Sequence, residues 1–372
     1  MVQIQVPQPN RKTIMANEFC RRLSNSFRFL EQDGNIVYQP CCWIQPSNSP
    51  IEHKMHLTNV RRQFTKTVLA DTEKNCHECL GREQNSYGVS HREFAKSYIP
   101  KDAIDGDMYH VAVHIDSTCN AACVMCGPHN SSLWQKQNDP TVKLKDYSAQ
   151  YQKLVSFTNF DKLRRLDFVG GEPLLSNHNV EFLKNVTHPA DVEVLYNTNG
   201  SILPSTELIE LWSTFKNVDL AFSIDGMNEQ FEYIRWPLSW KKVEDNMLHY
   251  DSILKDKLGL YMHFTANPMN IFYFKDLENW YSKRAWPNRS NEFSGLQVSP
   301  CFGTWGIDAT PLKLRKHIED KFGSDHIITR LLKSHEEVPG KFQQLIENME
   351  MLDEKRNMSY KDTFSEVLKI VG

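Results

Sequence analysis

No stretch of this 372-residue chain is apolar for long enough to cross a bilayer, so membrane insertion is not expected. The opening MVQIQVPQPNRKTIMANEF has no continuous apolar core ahead of a small-residue cleavage site, so secretion is not expected either. An excess of one charge is also missing. The 43 Lys and Arg residues stand against 46 Asp and Glu, a formal net charge of -3, and they are interspersed. That leaves no basic stripe to track a phosphate backbone, and a nucleic-acid partner is unsupported. There is no internal repeat and no low-complexity tract, PSNSP at 46–50 being the most loop-like segment. Hydrophobic residues at 40% and charged residues at 24% leave a folded cytoplasmic protein as the expectation.

Cysteine, by contrast, is plentiful. Nine cysteines is an odd number, and they fall in clusters. In a chain without a secretory signal that favours metal binding over disulfides.

From about residue 108, short β-branched and aromatic runs alternate with segments of helical periodicity, the pattern of βα units around a parallel sheet. Six strands are predicted: 108–116 (MYHVAVHID), 163–170 (LRRLDFVG), 192–198 (VEVLYNT), 218–225 (VDLAFSID), 258–266 (LGLYMHFTA) and 293–299 (FSGLQVS). Helices are predicted at HNVEFLKNVT, STELIELWSTF and WKKVEDNMLHYDSIL, whose apolar positions recur every three or four residues. Six units are fewer than the eight that close a full barrel. The expected fold is therefore α/β, an open, partial (β/α)6 TIM-like barrel over 106–300 with its site at the C-terminal ends of the strands. Residues 1–105, with their own cysteines and an Asp33-Gly34 turn signal, are expected to form a small N-terminal domain. Residues 301–372, charged and helical, are expected to form an extension packed on the barrel.

Directly after the first of these strands, STCNAACVMCGPHN places Cys119, Cys123 and Cys126 at the spacing C-x3-C-x2-C. Three thiolates on one short loop can bind three irons of a cubane cluster and leave the fourth iron without a protein ligand. Zinc is the alternative, but it prefers four ligands and two-residue spacings, and the fourth would have to be His114 or His129. The loop resembles the hallmark of the radical S-adenosylmethionine (SAM) superfamily, and the resemblance extends over roughly 108–300. It implies that the open iron chelates the amino and carboxylate groups of SAM. Electron transfer would then break SAM to a 5'-deoxyadenosyl radical that abstracts hydrogen from a substrate. A reductant such as flavodoxin or ferredoxin is implied as a partner. Met125 stands where the family often has an aromatic residue against the adenine, and its polarizable side chain suits either that role or gap filling.

The second strand ends in Gly170, Gly171, Glu172 and Pro173, a GGEP segment that in this superfamily contacts the SAM amino group. Alone it reads as a strand-to-helix turn. The third and fourth strands end in NTNG and SIDG, making Thr198, Asn199, Ser223 and Asp225 the candidate contacts to the SAM ribose and carboxylate that the resemblance implies. Individually they are ordinary caps and turn formers, but their shared place at successive strand ends points to a site. Arg235 in FEYIRWP is either a bidentate donor to a carboxylate or a solvated helix arginine. His263, Thr265 and Asn267 alternate onto one face of the fifth strand, and Cys301 follows the sixth.

The N-terminal cysteines, Cys20, Cys41, Cys42, Cys76 and Cys79, are arranged as FC, DG, PCC and CxxC. This arrangement is similar to the twitch domain, a shortened relative of the SPASM domain, carried before the barrel. It implies an auxiliary 4Fe-4S cluster on Cys20, Cys41, Cys76 and Cys79, with Cys42 as the alternative to Cys41. A zinc ribbon on the same residues remains open. Two functions are carried forward: a radical SAM enzyme acting on an unidentified substrate, a peptide or protein side chain slightly ahead of a small molecule, and a non-catalytic zinc- or iron-sulfur-binding interaction or regulatory protein.

Overall fold

The computed structural model describes residues 19–253, 257–284 and 296–372. Its centre is an eight-stranded sheet in the order β2-β1-β3-β4-β5-β6-β7-β8. The strands are β1 (Ser26–Gln32), β2 (Asn35–Gln39), β3 (His110–His114), β4 (Arg165–Phe168), β5 (Glu193–Thr198), β6 (Asn217–Ser223), β7 (Leu258–Ala266) and β8 (Leu296–Pro300). From β1 through β8 every neighbouring pair except β1–β2 is parallel. The sheet stays open, with β2 and β8 as its edges, so the expected partial barrel is present. All six predicted strands are found. The first three residues of the sixth, FSG, lie outside the described residues.

The sheet also runs across the expected boundary at residue 105. β1 pairs in parallel with β3, from Ser26 opposite His110 to Leu30 opposite His114, and so extends the barrel wall by one strand. β2 returns antiparallel through the two-residue turn Asp33-Gly34, with φ of 50° and 88°. Both turn residues lie in the left-handed region that such hairpins require, which is why Asp-Gly stands there.

Helices cover the outer face, and those that bear on the site are α1 (Lys54–Ala70), α2 (His77–Asn85), α3 (Ser132–Asn138), α4 (Asn177–Leu183), α5 (Thr206–Thr214), α6 (Asn228–Ile234), α7 (Trp240–Tyr250) and α8 (Lys341–Arg356). Because strand side chains alternate, the two faces of the sheet have different compositions. Val194, Tyr196, Val218, Leu220, Phe222, Leu260, Met262 and Phe264 face outward and join Trp212, Val243 and Met247 of the helices in one continuous core. Within it, Phe168 stacks on Tyr196 at 5.0 Å and Tyr196 meets Trp212 at 5.3 Å. Cutting a fully buried ring such as Trp212 to alanine costs about 3–5 kcal/mol. The inner face is different. Leu195, Ala221 and Tyr261 make a small separate apolar patch, and the other inward positions include buried Arg165, Asp219 and His110 and half-buried Asp167. Polar side chains thus fill the lumen while apolar ones hold the wall to its helices. Among the described residues no helix is long and apolar enough to cross a membrane.

Candidate functional site

The C-x3-C-x2-C loop leaves β3 and is tied down at almost every residue. Cys119 donates its N–H to Ser132 Oγ at 3.0 Å and accepts from the same hydroxyl at its carbonyl at 3.1 Å. Ser131 caps α3 and also donates to Ala121 O at 2.6 Å. Trp134 Nε1 donates to Cys123 O at 2.8 Å. The segment after α6 takes the other edge, with Ala122 N–H donating to Trp236 O (2.7 Å) and Val124 N–H to Ile234 O (2.9 Å). From the C-terminal part of the chain, Arg356 at the end of α8 donates to Ala122 O at 2.8 Å. Its guanidinium lies 4.7 Å from the Trp134 ring and 5.0 Å from that of Trp236. Ala121 and Ala122 are 1% and 0% exposed, so only small side chains fit between the cysteines. A loop whose backbone is this well satisfied is preorganised for its ligand.

The three sulfurs interact. A hydrogen bond from Cys126, aided by Arg235, pulls the Cys123 thiol down to about 7, while Cys126 is held up by the same pairing. Burial, with the charge of Cys123 added, pushes Cys119 up to about 12. One buried and two half-buried thiols with one nearby cation are a donor set for a positively charged metal centre. The zinc alternative loses its nearest histidine. Both ring nitrogens of His114 are engaged, Nδ1 with Arg28 Nη2 at 2.8 Å and Nε2 with Asn130 Oδ1 at 3.1 Å. His129 is exposed.

The strand-end residues come together against this loop. Gly170 (φ 94°) lies so close to His114 that a Cβ would stand 1.9 Å from the imidazole, and one on Gly171 (φ 50°) would stand 2.3 Å from Thr118 O. The next residue, Glu172, donates its N–H to Thr118 O at 2.8 Å. The Glu172 side chain is 1% exposed and turned inward, accepting from Thr198 Oγ1 at 2.8 Å and from Asn199 N–H at 2.7 Å. Burial pushes its carboxyl up to about 7. Asn199 Nδ2 donates to Asn120 Oδ1 at 2.9 Å, and Asn120 Nδ2 to Ser201 Oγ at 2.8 Å. Asn120, inside the cysteine loop, thus links it to the end of β5. Sequence reasoning passed over Asn120, whose only signal was its position between Cys119 and Cys123.

Asp225 is fully buried, ion-paired with Arg235 Nη2 at 2.5 Å and accepting from Thr265 N–H at 2.7 Å. Burial nonetheless raises its carboxyl above the usual range. Arg235 Nη1 lies 3.7 Å from Cys123 Sγ. The arginine is therefore buried rather than solvated, and it connects Asp225 to a thiol of the loop. Ser223 is half-buried at the end of β6, in register with His263. Pro173 is buried at the start of a 3-10 turn, and Met125 is half-buried against the main core. Asn267 is buried in a turn with Asn270, and Cys301 is buried beside Phe302 O.

The N-terminal thiols form a second group. Cys76 opens α2 and Cys79 lies one turn on, so both share a face. Burial, with the charge of Cys41 added, pushes Cys20 up to about 11. It does the same to Cys76 and Cys79, each to about 12, with Cys20 also contributing. Cys20, Cys41, Cys76 and Cys79 therefore share one neighbourhood. Cys42 and His91 adjoin it, Cys42 Sγ lying 3.3 Å and Cys41 Sγ 4.0 Å from His91 Nδ1. The ligand atoms of Cys41, Cys42 and His91 all lie within 4.8 Å of one another. His91 carried no signal in the sequence beyond being one histidine of fourteen.

The family model of a 4Fe-4S single cluster domain matches residues 104–249, which contain the cysteine loop and the ends of β4, β5 and β6. A curated relative, GTP 3',8-cyclase of Heliobacterium modesticaldum (strain ATCC 51547 / Ice1), is 27% identical over 104 residues, covering 28% of this chain. The matched segment spans 30% of that relative's length. Among solved structures, native anSMEcpe with bound AdoMet superposes with a TM-score of 0.38 at 16% identity, over 66% of this chain and 65% of that one. SuiB of Streptococcus suis bound to S-adenosylmethionine gives a TM-score of 0.38 at 10% identity, over 77% and 54%. The family model and the curated relative support the radical SAM resemblance over the part of the barrel that carries the three sulfurs.

Proposed function

We propose that this chain is a radical SAM enzyme that reductively cleaves SAM at a cluster on Cys119, Cys123 and Cys126 and uses the resulting radical on a substrate. The observation that carries this reading is convergence: three thiols of one preorganised loop meet the ends of three successive strands. Bound there, a 4Fe-4S cluster would supply the electron that splits the sulfonium bond of SAM. The rest is the work of the chain. Gly170 and Gly171, where a Cβ would strike His114 and Thr118 O, let the strand end close onto the cysteine loop, and backbone carbonyls of this turn are the proposed contacts to the SAM ammonium. Pro173 fixes the turn that follows, and Ser223, Asn199 and Met125 are the proposed contacts to ribose, carboxylate and adenine. Glu172 and Asp225, being turned inward, position rather than touch: one anchors Thr198 and Asn199, the other holds Arg235 against Cys123.

For the N-terminal thiols we propose an auxiliary 4Fe-4S cluster on Cys20, Cys41, Cys76 and Cys79, as the twitch-like arrangement implies. Cys20, Cys76 and Cys79 each feel the charge of Cys41, which supports it. A second reading, a zinc ion held partly by Cys42 and His91, is favoured by the compact Cys41–Cys42–His91 trio. Nine free thiols suit a reducing cytoplasm with a flavodoxin- or ferredoxin-type electron donor. The preference for a peptide or protein side chain as substrate rests on the resemblance alone.

Protein purified without oxygen should be brown, and with dithionite and SAM it should release 5'-deoxyadenosine. Brown, cluster-loaded protein that leaves SAM intact would refute the enzyme reading. Colourless protein with stoichiometric zinc and no iron would favour a metal-binding module instead.

A further inference from the structure

A cavity of about 340 Å³ lies in the barrel lumen, with Cys42 of the N-terminal thiol group on its wall. Val169 and Asn197 line it, each one residue before the rim residues Gly170 and Thr198, so it sits directly beneath the proposed SAM site. Its volume falls in the range of small-molecule sites. The lining is unusual in charge: four guanidinium groups, from Arg22, Arg28, Arg82 and Arg165, face it with Asp167 as the one carboxylate.

Two of the four are already matched. Arg165 pairs with Asp167 at 2.9 Å, and Arg82 with Glu78 at 2.9 Å. The other two are not. Among the described residues no carboxylate lies within ion-pair distance of Arg22 or Arg28. The Nε of each is buried without a hydrogen-bond partner, and Arg22 is only 6% exposed. The one side-chain bond of Arg28 is to the neutral acceptor Nδ1 of His114. Burial above all, opposed by the charge of Cys42 and reinforced by the like charge of Arg22, pulls the Arg28 guanidinium below its usual range, whereas Tyr98, Cys41 and Cys42 hold Arg22 in its charged form. One buried and one half-buried guanidinium without a carboxylate partner are costly to hold together, and an anion between them would relieve both desolvation and repulsion. Guanidinium forks suit the paired oxygens of phosphate or carboxylate. Asn197, Gln297, and Ser299 with His263 at 2.8 Å supply neutral polar groups to the same space.

We propose that the lumen cavity is the substrate pocket and that the substrate is a compact small molecule held by a phosphate or carboxylate group on Arg22 and Arg28. This assignment of substrate class rests on the radical SAM reading above and replaces the peptide or protein side chain that the resemblance alone favours. Cys42 also lines the cavity, so thiolates of a filled N-terminal site would offset some positive charge from one side. The test therefore uses cluster-loaded protein.

Calorimetry on that protein, anaerobic and at low salt, with inorganic pyrophosphate and with succinate as probes, should show one of them binding in a salt-sensitive way; which one tells phosphate from carboxylate. Arg28→Gln should weaken that binding by at least about tenfold, the usual worth of a charged hydrogen bond. Ser299→Asp, which places a carboxylate in the cavity without removing an arginine, should weaken it similarly, so a folding failure in one variant does not decide the matter. Binding of neither probe, or equal binding by wild type and both variants, would overturn the proposal. 5'-deoxyadenosine release is followed in parallel on the same samples. If it persists while no anion binds, only the substrate class falls; if it is absent while the anion binds through Arg28, the enzyme reading falls and the cavity is left as an anion site without a reaction.

Discussion

The two thiol groups are built by opposite means. Cys119, Cys123 and Cys126 sit within eight residues, on a loop whose carbonyls and amides are bonded to α3, to the segment after α6 and to α8. An arginine steadied by a buried aspartate stands beside one sulfur. The N-terminal thiols come from four places between residues 20 and 79, are mostly pushed toward the neutral form by burial, and compete with a histidine for Cys41. The first site is specified locally and then braced; the second exists only once the segment around Cys20, the residues after β2 and the start of α2 have come together. A local site is robust to distant change, whereas a dispersed one depends on the whole fold.

The largest contrast should come from cysteine replacement. Cys123→Ala should abolish 5'-deoxyadenosine formation, while Cys79→Ala should lose the iron of the N-terminal site alone and keep the electronic spectrum of the other cluster. Iron analysis with paired SAM-cleavage assays reads both, and equal loss of SAM cleavage in the two variants would erase the distinction. Next is Arg235→Gln, which leaves Asp225 buried without its ion pair. Removing one partner of such a pair costs about 3–5 kcal/mol in urea unfolding. Loss of a positive group beside Cys123 should also make the reduction potential of that cluster more negative, a shift a merely structural residue would not give. Gly171→Ala should be milder. It forces a Cβ into the left-handed region and against Thr118 O, for about 1–3 kcal/mol of strain, read as a lowered Tm together with weaker SAM binding.

The smallest effect is a pH slope. Glu172 has its folded pKa raised from 4.5 to about 7 by burial. Its contribution to stability is therefore complete below pH 4.5 and is lost as pH rises through about 7. Urea unfolding of the metal-free protein across that window should show stability falling with pH, and Glu172→Gln should flatten the fall. An unchanged slope in the variant would assign the effect elsewhere.

Much of the barrel was legible because its signals are local. The strands from 108 onward announce themselves by β-branched runs, and β7 matches its predicted span, 258–266. The Asp33-Gly34 turn was visible too, but the pairing of β1 with β3 was not, since it joins residues more than eighty apart and leaves no periodicity to read. At the site, spacing revealed the three cysteines and strand-end position revealed Glu172, Thr198, Asn199 and Asp225. It could not reveal that Glu172 turns inward, nor that Arg235 is buried, because their partners are set by tertiary packing. An arginine is exposed by default, and only Asp225 and Cys123 together make this one worth burying.

The bond from Arg356 to Ala122 O spans 234 positions of sequence. A ribosome therefore finishes the cysteine loop long before it makes the side chain that closes over it. Until those last residues emerge, the carbonyl of Ala122 lacks this donor and the faces of Trp134 and Trp236 lack their cation. The metal corner of the nascent chain is more open than that of the finished protein, and shortening the C-terminus before Arg356 would leave it so.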